Sequence, residues 1–292
     1  MINRIDECTT LRNGVKMPWF GLGVWQVQDE DTLIQAVHAA VRAGYRSLDT
    51  ARAYVNEDMV GKALATSPVP RDQIFLTTKL WNGDQGYDSG LQEYEQSCKL
   101  LGTDVIDLYL IHWPVPMIDK YVNSWKALVR LYEEKRVRAI GVCNFKKHHI
   151  ERLVAETGVA PMVNQVECHP LFPQNEMLAY CRENGIQMEA YSPLLNGRLS
   201  TIAPVLEPIA RKHGKTAAQV ILRWQLDREV VVIPKSVHEN RIIENGSIFD
   251  FALDADDKAA IAALENGTHF LPDPDEMSFH GKPGTMPKKD KK

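Results

Sequence analysis

Short apolar runs alternate with longer stretches whose apolar residues recur every three or four positions. A short apolar run bounded by turn residues predicts a buried strand, and spacing of three and four predicts an amphipathic helix. Strands are predicted near 21–26, 45–49, 74–79, 106–112, 139–144, 162–167, 187–191 and 230–234. Helices are predicted between them, at 31–43, 57–66, 91–101, 122–135, 149–156, 176–184 and 217–226, with extra helices at 202–213, 240–246 and 256–264. In the first, Leu33, Ala36, Val37, Ala40 and Val41 share one face. Gly44, Gly102, Gly158 and Gly185 stand where helices should stop. Ahead of the series, Asn13-Gly14 predicts a tight hairpin over 9–18, and the polar stretch 82–89 reads as a surface loop.

Strands separated by helices imply a parallel sheet with right-handed crossovers, and eight such units can close into a (β/α)8 TIM barrel without leaving edges. A doubly wound open sheet is the competitor. It would carry G-x-G-x-x-G after its first strand. Here Gly21-Leu22-Gly23 runs on into Val24-Trp25 with no third glycine. The expected architecture is one α/β barrel domain over 1–292, with an N-terminal β-hairpin, extra C-terminal helices and a C-terminal loop. The lysine-rich end, about 281–292, is expected to be a flexible tail.

Composition narrows the partners. The formal net charge is -4 over 292 residues, which gives no electrostatic reason to expect nucleic acid or an anionic membrane. No run approaches the roughly 18 apolar residues of a membrane span, and the start, Met-Ile-Asn-Arg-Ile-Asp-Glu, does not read as a signal peptide. Five cysteines without a C-x-x-C fit a reducing compartment, so a cytoplasmic protein is expected.

In such a barrel, polar residues at the C-terminal strand ends converge on one mouth. Asp49 ends the second strand and Tyr54 follows it; Lys79 ends the third and His112 the fourth. Each also has a structural explanation: a turn cap, a packed aromatic, a snorkelling lysine, a satisfied histidine. Their placement at one rim favours chemistry. Lysine beside aspartate retains its charge in a dry pocket, and a phenol near that cation becomes a better proton donor. Metal binding is not expected. His112, Cys143, Cys168 and His169 match no standard zinc spacing, and adjacent Cys168 and His169 would point to opposite faces of a strand.

The chain resembles the aldo-keto reductases from the Asn13-Gly14 hairpin to Pro274, above all the bacterial 2,5-diketo-D-gluconate and methylglyoxal reductase branch. The resemblance is carried by Gly44-Tyr-Arg-Ser-Leu-Asp-Thr50, Lys79-Leu-Trp-Asn82, Asp107-Leu-Tyr-Leu-Ile-His-Trp-Pro-Val-Pro116, Gly141-Val-Cys-Asn-Phe145, Asn164-Gln-Val-Glu-Cys-His-Pro170 and Ile233-Pro-Lys-Ser236. It implies NADPH as cofactor and Tyr54 as proton donor, tuned by Lys79 and Asp49, with His112 orienting the carbonyl. It implies that Asn144 and Gln165 hold the nicotinamide carboxamide and that Tyr191 stacks on the ring. Trp25, Cys143, Ser192, Leu194 and Asn196 are implied as further cofactor contacts. Trp25, Trp81, His112 and Trp113 would line the substrate pocket, closed by 266–280. Cys143, Leu195-Asn196-Gly197 and Val55 depart from common family residues, although the diketogluconate-like branch also carries cysteine at the first position.

Lys235 and Ser236 follow the last strand, and Arg241 and Asn245, four apart, share a helix face. They serve either as a solvated helix start or as a site for an adenosine phosphate, which the resemblance makes the 2′-phosphate of NADP. The activity so implied is reduction of small α-dicarbonyls or keto sugars by a monomer. A reductase similar to prostaglandin F synthase and a regulatory NADPH-binding barrel without turnover are the alternatives.

Overall fold

A computed structural model describes residues 2–284. β1 (Cys8–Thr10) and β2 (Lys16–Pro18) pair antiparallel around a turn in which Gly14 takes φ 86°, a region that disfavours side chains. Eight strands of one parallel sheet follow among the described residues: β3 (Leu22–Gly23), β4 (Ser47–Asp49), β5 (Phe75–Leu80), β6 (Ile106–Ile111), β7 (Val137–Cys143), β8 (Val163–Glu167), β9 (Gln187–Tyr191) and β10 (Val231–Val232). They pair in sequence order. A parallel bridge between Phe20 and Val232 joins last to first, with Val232 N–H donating to Trp19 O at 3.1 Å and Gly21 N–H to Val232 O at 2.9 Å. The sheet is thereby closed into the expected barrel.

The helices are α1 (Glu30–Arg42), α2 (Glu57–Ala65), α3 (Tyr87–Leu101), α4 (Tyr121–Glu133), α5 (Lys147–Thr157), α6 (Asn175–Glu183), α7 (Ala203–His213), α8 (Ala217–Asp227), α9 (Glu239–Gly246) and α10 (Ala255–Ala262). α1 shows why they form where they do. Asp29 caps its start by accepting from Thr32 N–H at 2.9 Å, and Glu30 and Asp31 meet the positive end of the helix dipole. Its buried face is the predicted one: Leu33, Ala36, Val37, Ala40 and Val41. Gly102 and Gly158 end α3 and α5 in the left-handed conformation.

The hairpin covers the N-terminal end of the barrel. Thr9 Oγ1 donates to Gln187 Oε1 at 2.9 Å and Asn13 Nδ2 to Arg138 O at 2.9 Å, both near strand starts. The opposite end is left to the loops after the strands. There the stretch 82–89 differs from the expected surface loop. Asn82 and Gln85 are buried, Gln85 Nε2 holds Trp113 O at 2.6 Å, and α3 already begins at Tyr87. Their side chains are drawn inward because they brace the rim.

The segment after α10 forms no regular helix and crosses that rim. Asn266 and Gly267 N–H both donate to Leu171 O, at 3.2 and 3.1 Å. Met277 is buried with Trp81, Trp113 and Val115, and Leu271 and Phe279 pack on this cluster. Phe270 goes elsewhere, against the Leu171–Trp224 cluster, with the Arg198 guanidinium 4.8 Å from its ring. The stretch expected as a tail from 281 starts in contact: Trp81 Nε1 donates to Gly281 O at 2.8 Å. Its remainder from 285 lies outside the described residues.

Candidate active site

Asp49 is the last residue of β4, Lys79 lies one residue from the end of β5, and His112 follows β6. Alternation along each strand turns Asp49 and Lys79 into the barrel. Lys79, with no exposed surface, places Nζ 2.6 Å from Asp49 Oδ1, 2.8 Å from Thr50 O and 3.4 Å from the Tyr54 hydroxyl. Nζ also lies 5.0 Å from the centre of the Tyr54 ring. Burial would strip this lysine of its proton, but the Asp49 carboxylate reverses that and holds the ammonium above its ordinary value. Burial pushes the Tyr54 phenol up, and the Lys79 charge draws it back part of the way. Tyr54 itself is half-buried.

Tyr54 sits in a single 3-10 turn (Arg52–Tyr54) that ends on Val55 at φ 54°, an uncommon conformation for a β-branched residue. The turn is tied down from neighbouring loops. Gln28 Nε2 donates to Tyr54 O at 2.8 Å. Asn56, buried, accepts from Thr50 Oγ1 at 2.7 Å and donates to Val24 O and Val27 O at 3.0 and 3.1 Å. These bonds also fix the loop that carries half-buried Trp25.

The His112 ring packs edge-on against Tyr54 and Trp81, with centroids 5.8 and 5.4 Å away. Burial, and then the Lys79 charge, hold its pKa well below the ordinary value, so the ring is neutral. Its Nδ1 has no partner among the described residues. Trp81 and Trp113 are buried beneath the crossing segment. Trp81, His112 and Trp113 thus meet at one rim, and Trp25 stands on the loop after β3.

On the other side of the mouth, Asn144 takes φ 64°, donates from Nδ2 to His112 O at 3.0 Å and accepts from the Tyr191 hydroxyl at 2.7 Å. Gln165 Nε2 donates to Asp49 Oδ2 at 2.8 Å and to Glu189 Oε2 at 2.7 Å. Both amide hydrogens are therefore used, and Oε1 is left with the Cys143 thiol at 3.6 Å. Ser192 Oγ donates to Asn196 Oδ1 at 2.7 Å across a loop where both residues, and Leu195 between them, have positive φ. Leu194 packs against the core at the same loop. Beyond β10, Lys235 and Arg241 are exposed while Ser236 and Asn245 are buried beside them. This donor set suits a nicotinamide dinucleotide phosphate. Lys235 and Arg241, which make no ion pair among the described residues, and the Ser236 hydroxyl suit the phosphate, an amide oxygen the carboxamide, and the half-buried Tyr191 face a flat ring.

Sequence reasoning missed two carboxylates. Glu189 is fully buried behind Gln165. Glu167 Oε1 accepts from Phe270 N–H at 2.7 Å and Oε2 from Leu271 N–H at 3.1 Å, strapping the crossing segment to the end of β8. The available signal was alternation: Glu189 stands two before Tyr191, and Glu167 two after Gln165. A third group, His148, His149 and Asp275, brings its ligand atoms within 4.8 Å of one another, and the Lys146 ammonium is paired with the same Asp275 at 2.7 Å.

The sequence profile described as the aldo/keto reductase family matches residues 20–266. Glyoxal reductase of Bacillus subtilis is 49% identical over 279 residues, spanning 96% of this chain and 100% of that protein. Methylglyoxal reductase DkgA of Salmonella typhimurium is 48% identical over 268 residues, 91% of this chain and 96% of its own. Among solved structures, a Gox0644 mutant in complex with NADPH matches with a TM-score of 0.89 at 45% identity, covering 93% of this chain and 98% of that one. An aldo-keto reductase of Bombyx mori in complex with NADP matches with a TM-score of 0.82 at 33% identity, covering 91% and 94%.

Proposed function

The chain belongs to the aldo/keto reductase family, and from that premise we propose that it reduces small α-dicarbonyls of the methylglyoxal class with Tyr54 as proton donor. It is an NADPH-dependent reductase of aldehydes and ketones. The observation that carries the role of Tyr54 is the position of Lys79 Nζ, shared between Asp49 at 2.6 Å and the phenol at 3.4 Å.

NADPH, when bound, supplies the hydride that the carbonyl carbon receives. Lys235, Ser236 and Arg241 would hold the adenosine phosphate, and Asn245 would contact the same end. Asn144 and the Gln165 oxygen would hold the carboxamide, with Trp25, Cys143, Ser192, Leu194 and Asn196 around the cofactor. The Tyr191 ring would stack on the nicotinamide. Neutral His112 orients the carbonyl oxygen by a hydrogen bond. Tyr54 gives that oxygen its proton, and the Lys79 ammonium stabilises the phenolate left behind until solvent reprotonates it. Trp25, Trp81, Trp113 and the crossing segment exclude water and leave room for a short substrate. A dicarbonyl fits because its second carbonyl withdraws electrons from the first.

The whole chain, 1–292, acts as one catalytic domain, as a monomer in the cytoplasm and without nucleic acid or a membrane as partner. Five free cysteines support a reducing compartment. Among the described residues no helix is long and apolar enough to cross a membrane. NADPH consumption against a substrate panel tests the assignment. The highest kcat/KM is expected for methylglyoxal, with 2,5-diketo-D-gluconate next. Preference for a prostaglandin endoperoxide would favour the prostaglandin F synthase type, and NADPH binding without any turnover a regulatory barrel.

A further inference from the structure

Glu189 is a carboxyl with no surface exposure, linked through Gln165 and Asp49 to the Lys79 ammonium beside Tyr54. Its Oε2 accepts from Gln165 Nε2, which also donates to Asp49 Oδ2, so a single amide bridges two carboxyls. Its Oε1 has no partner among the described residues. The titratable and charged groups that face it are Asp49 from β4, Lys79 from β5 and the Cys143 thiol from β7. β8 presents Gln165 and β10 pairs beside it through Val231, both uncharged. Among the described residues, the charged groups acting on Glu189 are therefore one cation, Lys79, and one other carboxyl, Asp49. With Asp49 ionised against Lys79, a second carboxylate would be an unbalanced buried charge with one oxygen unsatisfied, which is costly. A neutral carboxylic acid removes the charge part of that cost.

We propose that Glu189 is a positioning residue for carbonyl reduction: neutral at the working pH, it keeps the Asp49–Lys79 pair balanced and orients the Gln165 amide with its oxygen towards the cofactor. The inference rests on the reductase reading above. The direction of the Glu189 shift agrees: burial first, then the Asp49 charge, push its pKa up to about 8. Ionisation above that pH adds a negative charge beside Lys79 and opposes formation of the Tyr54 phenolate. The phenol then becomes a weaker acid, and reduction slows.

Two measurements on the full chain test this. Infrared difference spectra between about pH 6.5 and about pH 9.5 bracket the Glu189 value and need no substrate. A protonated-carboxyl C=O band should be present at the lower pH, vanish at the higher one, and be missing from Glu189→Gln. The pH profile of kcat/KM for methylglyoxal reduction should show an alkaline limb in the wild type, displaced upward by about one unit in Glu189→Gln, which keeps an acceptor for Gln165 but cannot ionise. Glu189→Met should lose the band too, and without an acceptor for Gln165 its NADPH Kd should rise about tenfold. It serves in both measurements should Glu189→Gln not fold. A purely structural role would lower kcat at every pH without moving the limb. Absence of a band that these variants remove, or an unmoved alkaline limb, overturns the proposal. A wild type that oxidises no NADPH with any carbonyl overturns the reductase reading instead, and the infrared titration still reports on Glu189.

Discussion

The Lys79 ammonium lies 3.4 Å from the Tyr54 hydroxyl, close enough for its charge to stabilise a phenolate and too long for a strong hydrogen bond. Lysine and tyrosine therefore act as one unit. Lys79→Met should reduce kcat/KM for methylglyoxal by about 100-fold or more. Adding it to Tyr54→Phe should cost much less than the product of the two single effects, because the cation has nothing to stabilise once the phenol is gone. Fully multiplicative losses in the double mutant would separate the two roles.

Much of this arrangement was legible beforehand. The eight strands stand out because each is a short apolar run between turn residues, and Asp49, Lys79 and His112 lie where such strands end. Lengths were less legible. β3 shrinks to Leu22–Gly23 and β10 to Val231–Val232, since barrel pairing and not apolar character decides where a ladder stops. α3 begins at Tyr87, ahead of its first apolar repeat, because its first turn is mostly polar and exposed. The strap made by Glu167 depends on where residues 270 and 271 arrive, and local pattern does not encode that contact.

That strap yields a second prediction. Glu167→Leu should remove the carboxylate that accepts from the Phe270 and Leu271 N–H groups, at about 1.5–3 kcal/mol per charge-assisted bond. KM for methylglyoxal should rise while NADPH affinity changes far less. Amide exchange at Phe270 and Leu271 should accelerate; unchanged protection there would remove Glu167 from the role of anchor.

Cofactor choice should reside beyond β10. Arg241→Ala should raise the NADPH Kd by roughly 10- to 100-fold, the equivalent of one charge-assisted bond. NADH lacks the 2′-phosphate and should be affected little. Equal weakening of both cofactors in a fluorescence titration would assign Arg241 to the scaffold instead.

Stability should fall as pH falls below about 6.5, because His149 and His112 take up protons in the unfolded chain that they refuse in the fold. His149 is the clearer case. Burial, then the neighbouring His148, lower its pKa to about 4, even though Asp275 faces it. Its Nδ1 accepts from the Lys146 N–H at 3.1 Å, a bond that protonation there would break. His112 shifts the same way. A folded pKa below the unfolded one means that this proton uptake does not affect stability above about pH 6.5 and costs about 1–3 kcal/mol towards pH 4. His149→Gln, which can still cap α5 from the same position, should flatten the pH dependence of the unfolding free energy between those limits. An unchanged slope would contradict the assignment.

The most direct test of the account is NADPH oxidation by Tyr54→Phe with methylglyoxal, measured beside NADPH binding by the same protein. Loss of the phenolic proton should lower kcat by ~10²–10⁴-fold while the NADPH Kd stays within about threefold of the wild type. Turnover at the wild-type rate by a folded, NADPH-bound Tyr54→Phe would contradict the central claim.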